Sequence, residues 1–422
     1  MNGRSWVALC LLALCVAVAS AVVESDLRPS FVGHRVLRFG LADDLDGEQR
    51  LRLGAAVRAL GLDLWAEHPE WADVQVPDVL LPQVDALNIP YTVMIEDLQA
   101  LVDLERFSIQ RATNDSFFGG FRTLDEFNNF MATLAKQYPD LVTQITIGKS
   151  VEGRNINGII ITSQKKTTGK AGIVYNGGQH AREWISPMTN AWIANQLVTL
   201  YGKDAQITNF VDNIEWTIIP IVNADGYVYT WTTDRMWRKN RRINKESWSG
   251  CVGVDTNRNW EFHWNEGGSS SNTCAEDYMG PKGFSEPEET ALASYIKSRG
   301  NVLGYIDFHS YSQLWMTPWG YTSALPKDYP DLLQATKECV SALSAVYGTK
   351  YQYGNIATTI YPASGSSVDW TFGVANVTYS FAVELRDTGR YGFVLPPSEI
   401  APTGEETFAA VRAMAAYILK KL

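Results

Sequence analysis

The sequence predicts an α/β fold in which a mixed β-sheet is covered by helices on both faces, preceded by a small α+β module. The 422 residues are 45% apolar and 12% aromatic, with 19% charged, so the chain can build a sizeable core. Apolar strand patterns alternate with amphipathic helix patterns. Composition also changes near residue 111: residues 23–111 carry 16 acidic and eight basic residues without a lysine, whereas 11 of the 14 tryptophans follow.

The first 22 residues are predicted to be a signal peptide and are left out of the fold. Arg4 precedes an apolar run at residues 7–18, and small residues at 19–21 offer a cleavage site. The run is shorter than a membrane span, and no later stretch reaches about 18 apolar residues; a signal anchor is the alternative. We therefore expect a secreted protein without a membrane segment. The net charge of −10 argues against a nucleic-acid partner.

Residues 23–111 are predicted to form the small α+β module. The predicted elements are a strand at Val36–Leu41, a helix at Asp46–Leu60, strands at Asp63–Trp65 and Val74–Val76, a helix at Val79–Leu87 and a strand at Tyr91–Ile95. The order βαββαβ is typical of a ferredoxin-like arrangement. A helix over Asp97–Arg111 then leads into a linker.

Residues 112–422 are predicted to form the larger domain. Its predicted strands are Leu141–Gly148, Asn157–Thr162, Ile173–Asn176, Glu215–Val222, Val302–Phe308 and Tyr379–Glu384. Its predicted helices are Leu124–Gln137, Ser186–Tyr201, Glu286–Ser298, Asp331–Tyr347 and Glu405–Leu422. In the second of these helices, Ser186 is predicted to be the N-cap and Pro187 the first helical residue.

Three cysteines follow the signal peptide. In an oxidising compartment we expect Cys251 and Cys274 to pair, because the loop between them is rich in Gly, Ser and Asn and would be stabilised by a cross-link. Cys339 lies in an amphipathic helix pattern and is expected to be a buried thiol.

A metal site is suggested by the segment Gly-Gly-Gln-His-Ala-Arg-Glu-Trp, residues 177–184, which follows a predicted strand. His180 and Glu183 offer an imidazole nitrogen and a carboxylate oxygen, which suit zinc, but such a pair is also common on solvated helices. A catalytic zinc needs three protein ligands and an open position. His309 ends the strand Val302–Phe308, the usual place for a site in an α/β sheet. His263 lies in the cysteine loop and is expected to have a surface role.

A second acidic residue follows another apolar strand. Glu384 lies in Phe-Ala-Val-Glu-Leu-Arg-Asp, and a carboxylate there is costly to bury without a partner. The structural interpretation is a salt bridge with a nearby arginine. The functional interpretation is a general base that accepts a proton from an attacking water.

Two segments place arginines beside tryptophans: residues 234–241 and residues 255–260. Exposed charged runs are usually solvated surfaces. However, an Asn-Arg pair such as Asn257–Arg258 offers planar donors that match a carboxylate, and a further arginine can stabilise a developing oxyanion.

Together these motifs resemble the metallocarboxypeptidase A/B family in its secreted proenzyme form. The resemblance rests on HxxE, DTNRNW with its flanking cysteines, FHSYSQ, TTIYPASGSSVDW and AVELRDTGRYGF, in that order, and covers essentially the whole chain after the signal. It implies an eight-stranded mixed sheet flanked by helices and a zinc-dependent enzyme that releases C-terminal residues from peptides and proteins. The cysteine spacing also resembles the disulfide loop of the family.

The resemblance also implies roles for individual residues. The zinc ligands would be His180, Glu183 and His309, the general base Glu384 and the carbonyl-polarising arginine Arg238. Asn257 and Arg258 would grip the terminal carboxylate with help from Tyr361, while Arg182, Arg235 and Tyr311 would line more distant subsites. Val368 matches the pocket-floor position at which an acidic residue selects Lys or Arg, so an apolar preference is expected.

Residues 23–111 would then be an inhibitory activation segment, released by a trypsin-like protease after Arg111 or, alternatively, Arg106. The net charge of −8 would complement a groove that holds zinc and several arginines. A permanent accessory domain is the alternative, and we expect a monomer. Two other functions remain open: a zinc amidohydrolase acting on non-peptide amides, and an inactive peptide-binding relative. An amidated peptide would distinguish them, because the Asn257–Arg258 pair favours a free carboxylate.

Overall fold

The computed structural model describes residues 29–40, 47–111, 116–166, 168–245, 247 and 250–422. The expected signal peptide and the first residues after Arg111 lie outside this part of the chain. Within it, no helix combines the length and the apolar character that crossing a membrane requires.

The N-terminal module is a four-stranded antiparallel sheet packed against helices. Its strands are β1 (His34–Gly40), β2 (Asp63–His68), β3 (Trp71–Pro77) and β4 (Tyr91–Ile95), in the order β2-β3-β1-β4. Its helices are α1 (Gly47–Leu60), α2 (Leu81–Asp85) and α3 (Leu98–Arg111). The predicted βαββαβ order is therefore confirmed. The second helix is shorter than predicted, because residues 78–80 form a 3₁₀ turn and Pro82 occupies its first turn.

The larger domain contains the predicted mixed eight-stranded sheet, in the order β11-β10-β12-β9-β7-β8-β6-β5. The strands are β5 (Val142–Lys149), β6 (Asn155–Ile161), β7 (Ala171–Gly177), β8 (Ile214–Ile219), β9 (Val302–Ser310), β10 (Leu314–Thr317), β11 (Gln352–Asn355) and β12 (Tyr379–Leu385). The central strands β8, β7, β9 and β12 are parallel. Their carboxyl ends therefore meet at one edge of the sheet.

Helices cover both faces of this sheet. They are α4 (Leu124–Gln137), α5 (Ile185–Leu200), α6 (Ala205–Asn213), α7 (Ala224–Thr232), α8 (Pro287–Arg299), α9 (Tyr329–Tyr347), α10 (Ile356–Thr359), α11 (Ser367–Gly373) and α12 (Ile400–Lys420). The neighbouring residues Val174 and Tyr175 of β7 pack into two different apolar clusters, which places a core on each face. Cys251 and Cys274 form the predicted disulfide, and Cys339 is buried as predicted.

The predicted cap of α5 is wrong. This helix begins at Ile185, and the backbone is already helical at Trp184. The hydroxyl of Ser186 instead accepts a hydrogen bond from the Gly178 amide at 3.0 Å, so the serine secures the turn that follows β7.

Candidate active site

Three potential metal ligands converge at the carboxyl edge of the large sheet. His180 and Glu183 lie between β7 and α5, and His309 lies near the end of β9. His180 Nδ1 is 2.8 Å from Glu183 Oε1, His309 Nδ1 is 3.0 Å from Glu183 Oε2, and the two Nδ1 atoms are 3.1 Å apart. All three side chains are buried. The fold thus brings together residues that lie up to 129 positions apart.

The spacing of these atoms fits a small divalent cation. Zn–N and Zn–O bonds of about 2.0–2.1 Å in a tetrahedron place neighbouring ligand atoms about 3.3 Å apart, close to the separations found here. Burial alone would raise the pKa of Glu183, but His180 and His309 lower it. Glu183 is therefore an ionised carboxylate beside two imidazole nitrogens, which is a donor set typical of zinc.

Asp255 holds the first histidine in place. Its Oδ1 lies 3.1 Å from His180 Nε2, which leaves Nδ1 facing the cation position. Its Oδ2 accepts from Arg238 Nη2 at 2.9 Å. Burial alone would raise the pKa of Asp255, but Arg238, His180 and Arg258 hold it well below its usual range. Sequence reasoning missed this residue, although it opens the DTNRNW motif.

Glu384 belongs to β12, directly opposite His309 in the parallel pairing with β9. It lines the same cavity as the three potential ligands. Burial, supported by the neighbouring Glu183, raises the pKa of Glu384 to about 8, while His309 and Arg238 oppose that rise. A cation between the three potential ligands would also act against this rise in the pKa of Glu384. The carboxyl is therefore placed to exchange a proton.

Arg258, Tyr361 and Asn257 form a hydrogen-bonded group beside the three potential metal ligands. Arg258 donates from Nη2 to the Tyr361 hydroxyl at 3.0 Å, and its Nε and Nη1 donate to the carbonyls of Gly268 and Asn257. These contacts fix the plane of the guanidinium. Asn257 Nδ2 lies 3.1 Å from His309 Nε2, so this group contacts one of the three potential ligands.

An apolar pocket continues from this group. It is lined by Met316, Ile356, Ile360, Ala363, Ser366, Val368 and Ala382. The Ser366 hydroxyl accepts from the Asp369 amide at 3.3 Å and caps α11. The Asp369 carboxylate, which lies behind the wall, accepts from the amides of Gly320 and Tyr321 and is therefore already satisfied.

The residues expected at more distant subsites contact the N-terminal module. Arg182 Nη1 donates to Asp63 at 2.6 Å, and Arg235 forms a buried ion pair with Glu105 at 2.5 Å. The Tyr311 hydroxyl donates to Asp73 at 2.6 Å. His263, outside the site, pairs with Glu266 and stacks on Tyr321, in agreement with its expected surface role.

A buried His–Glu–His group with an adjacent carboxyl and guanidinium, at the carboxyl edge of a mixed sheet, defines a metallohydrolase. Comparison with known proteins gives the family. The model of the zinc carboxypeptidase family matches residues 127–410, so the chain belongs to this family and is a metallocarboxypeptidase.

The similar proteins include some that cover nearly the whole chain. It is 39% identical to carboxypeptidase A1 of Bos taurus over 425 aligned residues, which span 98% of this chain and 99% of that protein. It is 44% identical to carboxypeptidase B of Astacus astacus, over 71% of this chain and 97% of that protein. The crystal structure of thrombin activatable fibrinolysis inhibitor superposes with a TM-score of 0.83 at 32% identity, covering 92% of this chain and all of that one.

Proposed function

We propose that this metallocarboxypeptidase uses zinc, removes aromatic or aliphatic C-terminal residues, and is made as a secreted zymogen. The observation that carries the specificity is the apolar pocket next to Arg258. A peptide whose terminal carboxylate pairs with Arg258 would place its last side chain among Met316, Val368 and Ala382. None of the pocket-wall residues named above is charged.

The residues of the site divide the chemistry among them. His180, Glu183 and His309 would hold the zinc, which when bound polarises the scissile carbonyl and lowers the pKa of the attacking water. Glu384 accepts the proton of that water and passes it to the departing amine. Arg238 donates to the developing oxyanion, since its guanidinium is already held at the site by Asp255.

Positioning supplies the exopeptidase selectivity. Arg258, Asn257 and Tyr361 bind the free terminal carboxylate, so only the last peptide bond reaches the reacting groups. An apolar side chain gains about 1.5–3 kcal/mol from burial in the pocket, or roughly ten- to hundredfold in binding. A lysine or arginine side chain would be desolvated there without a counter-charge.

The N-terminal module is proposed to be the inhibitory segment. Trp65, Ala66 and Glu67 line the same cavity as the metal ligands, and the Trp65 ring packs 4.9 Å from that of Phe393. The module would therefore block the approach of a polypeptide. We expect a trypsin-like protease to cut after Arg111, the last residue of α3, rather than after Arg106, which lies within the helix.

The experiment compares matched peptides ending in Phe, Leu, Lys or Arg, each with a C-terminally amidated twin, before and after trypsin treatment. We expect release of Phe and Leu only from free-acid peptides and only after cleavage. Faster release of Arg than of Phe would overturn the specificity, and hydrolysis of the amidated twins would favour a broader amidohydrolase. Full activity of the uncut chain would overturn the zymogen proposal. Size-exclusion chromatography and N-terminal sequencing of the secreted product test the monomer and the signal peptide.

A further inference from the structure

Asp307 is a buried carboxylate that the chemistry above does not use. It lies on β9 two residues before His309, so both side chains project from the same face of the strand. Its Oδ2 lies 2.8 Å from His309 Nε2, and the residue has no exposed surface.

Neutral donors surround this carboxylate. Asn176, directly opposite on β7, donates to Oδ1 at 2.7 Å, and Gln179 and the Ser367 hydroxyl donate to Oδ2. Among the ion pairs of the described residues, Asp307 contacts only His309, whereas Asp255 also pairs with Arg238. The negative charge of Asp307 is therefore held in place without a neighbouring lysine or arginine to neutralise it.

The two polar groups beside His309 Nε2 favour different tautomers of this imidazole. Asn257 presents its amino group to this nitrogen, because its carbonyl oxygen accepts from the Ser367 amide at 2.9 Å, and this donor favours an unprotonated Nε2. The Asp307 carboxylate, whose Oδ2 lies 2.8 Å from the same nitrogen, favours a protonated Nε2. If Nε2 carries the proton, that proton has an acceptor in Asp307, and Nδ1 keeps a free lone pair facing Glu183 and His180.

We propose that Asp307 is a positioning residue for the metal centre: it holds His309 in the tautomer that binds a divalent cation and increases the affinity of the site for that cation. Both histidines then form carboxylate–histidine pairs, His180 with Asp255 and His309 with Asp307. Such outer partners typically change metal affinity by 10–100-fold. The inference rests on the proposed zinc-dependent function.

The test measures zinc affinity in the full-length protein by competition with a chromophoric chelator. Asp307→Asn keeps the shape and removes the charge. Asp307→Ser is a second variant, because its hydroxyl can still accept from the surrounding donors if the amide disturbs the packing. The control is Asp225→Asn, which removes another buried carboxylate, one bound by Ser150, the Glu152 amide and Arg154.

We expect both Asp307 variants to bind zinc about 10–100-fold more weakly and to shift the visible absorption bands of the cobalt-substituted protein. Asp225→Asn should lower the melting temperature while zinc affinity stays within about twofold of wild type, because its partners lie outside the metal site. If folded Asp307 variants bound zinc as tightly as the wild type, the inference about Asp307 would be wrong, but the proposed function would not be affected. A wild-type protein that binds no zinc would instead overturn the proposed function.

Discussion

Glu384 is the side chain on which turnover depends most directly in the proposed chemistry. Glu384→Gln keeps the size of the side chain but removes the proton acceptor, so kcat should fall by about 10²–10⁴-fold. Zinc content should stay at one ion per chain, because Glu384 is not among the three converging ligands. Steady-state kinetics and elemental analysis of the same preparation measure both quantities. Near-normal turnover in a metal-loaded variant would contradict the assignment.

Substitution of Val368 tests whether this pocket residue selects the terminal side chain of the substrate. Val368→Asp places a carboxylate at a buried, apolar position, where it attracts a basic terminal residue and repels an aromatic one. We expect kcat/KM for a peptide ending in Phe to fall about ten- to hundredfold, while the value for the matched Lys peptide rises. Val368→Ile is the size control and should retain the apolar preference. A variant that keeps the wild-type ratio would show that residue 368 does not select the substrate.

The sequence alone could suggest the proposed ligands and base, whereas it did not single out the two carboxylates that contact the histidines. His180, Glu183 and His309 combine chemically suitable side chains with positions at strand ends. Asp255 and Asp307 are single carboxylates without a diagnostic spacing. Their partners come from other parts of the chain, so only the folded structure shows what each one contacts.

Among helices and strands, the number of residues in the element decided whether the sequence pattern could predict it. The long helices α4, α8 and α9 were found because several turns repeat an apolar stripe, supported in α4 by the reciprocal hydrogen bonds of Thr123 and Glu126. The strands β10 and β11 have four residues each, too few for an alternating pattern. The sequence pattern did not predict them. Strand β10 forms by pairing with β12 and β11, and a short local pattern does not reveal such pairing.

The burial of Glu288 in helix α8 makes the stability of the folded state depend on pH. Burial raises the pKa of Glu288 to about 7 from a usual value near 4.5, and Glu286 adds to the shift. Between these values the folded state keeps a proton that the unfolded chain has released, so the stability of the folded state falls as pH rises. We expect the free energy of unfolding of Glu288→Gln to fall by about 1–3 kcal/mol less than that of the wild type over this pH range.

Thermal unfolding from pH 4.5 to 7.5 measures this effect. The melting temperature of the wild type should fall more steeply across that window than that of Glu288→Gln. Glu48→Gln is the control, because Glu48 also lies in the first turn of a helix but is exposed. A wild-type curve parallel to that of Glu288→Gln would contradict the prediction.

At the scale of the whole molecule, the charge division seen in the sequence corresponds to a contact between the two domains. The acidic side chains Asp63 and Glu105 of the N-terminal module meet Arg182 and Arg235 of the larger domain. Composition alone could not identify these pairs, because most of the other acidic residues that the structure describes in the module are exposed, and Asp78 and Glu96 pair with Arg35 within it. The net charge of the module therefore predicted a surface that complements arginines of the larger domain, but not the residues that form the contacts.

The ion pair between Glu105 and Arg235 offers a test of how the module is held. Both side chains are almost fully buried, and Arg235 also donates to the Phe393 carbonyl. Glu105→Gln leaves the guanidinium buried without a counter-charge in the assembled state, at a cost of about 3–5 kcal/mol. Once the module has separated, Arg235 is free to regain water. The penalty therefore falls on the assembled state alone.

We expect trypsin-cut Glu105→Gln protein to reach full activity sooner than wild type, with about a hundred- to several-thousandfold weaker retention of the severed module. Glu96→Gln is the matched control, because Glu96 is exposed and pairs with Arg35 inside the module. In the proposed zymogen, Glu105 belongs to the segment that cleavage would remove, so the liberated catalytic domains would be chemically identical and should give the same final kcat/KM. Any difference in the time course therefore reports how tightly the module is held. Equal time courses for Glu105→Gln and wild type would show that other contacts hold it.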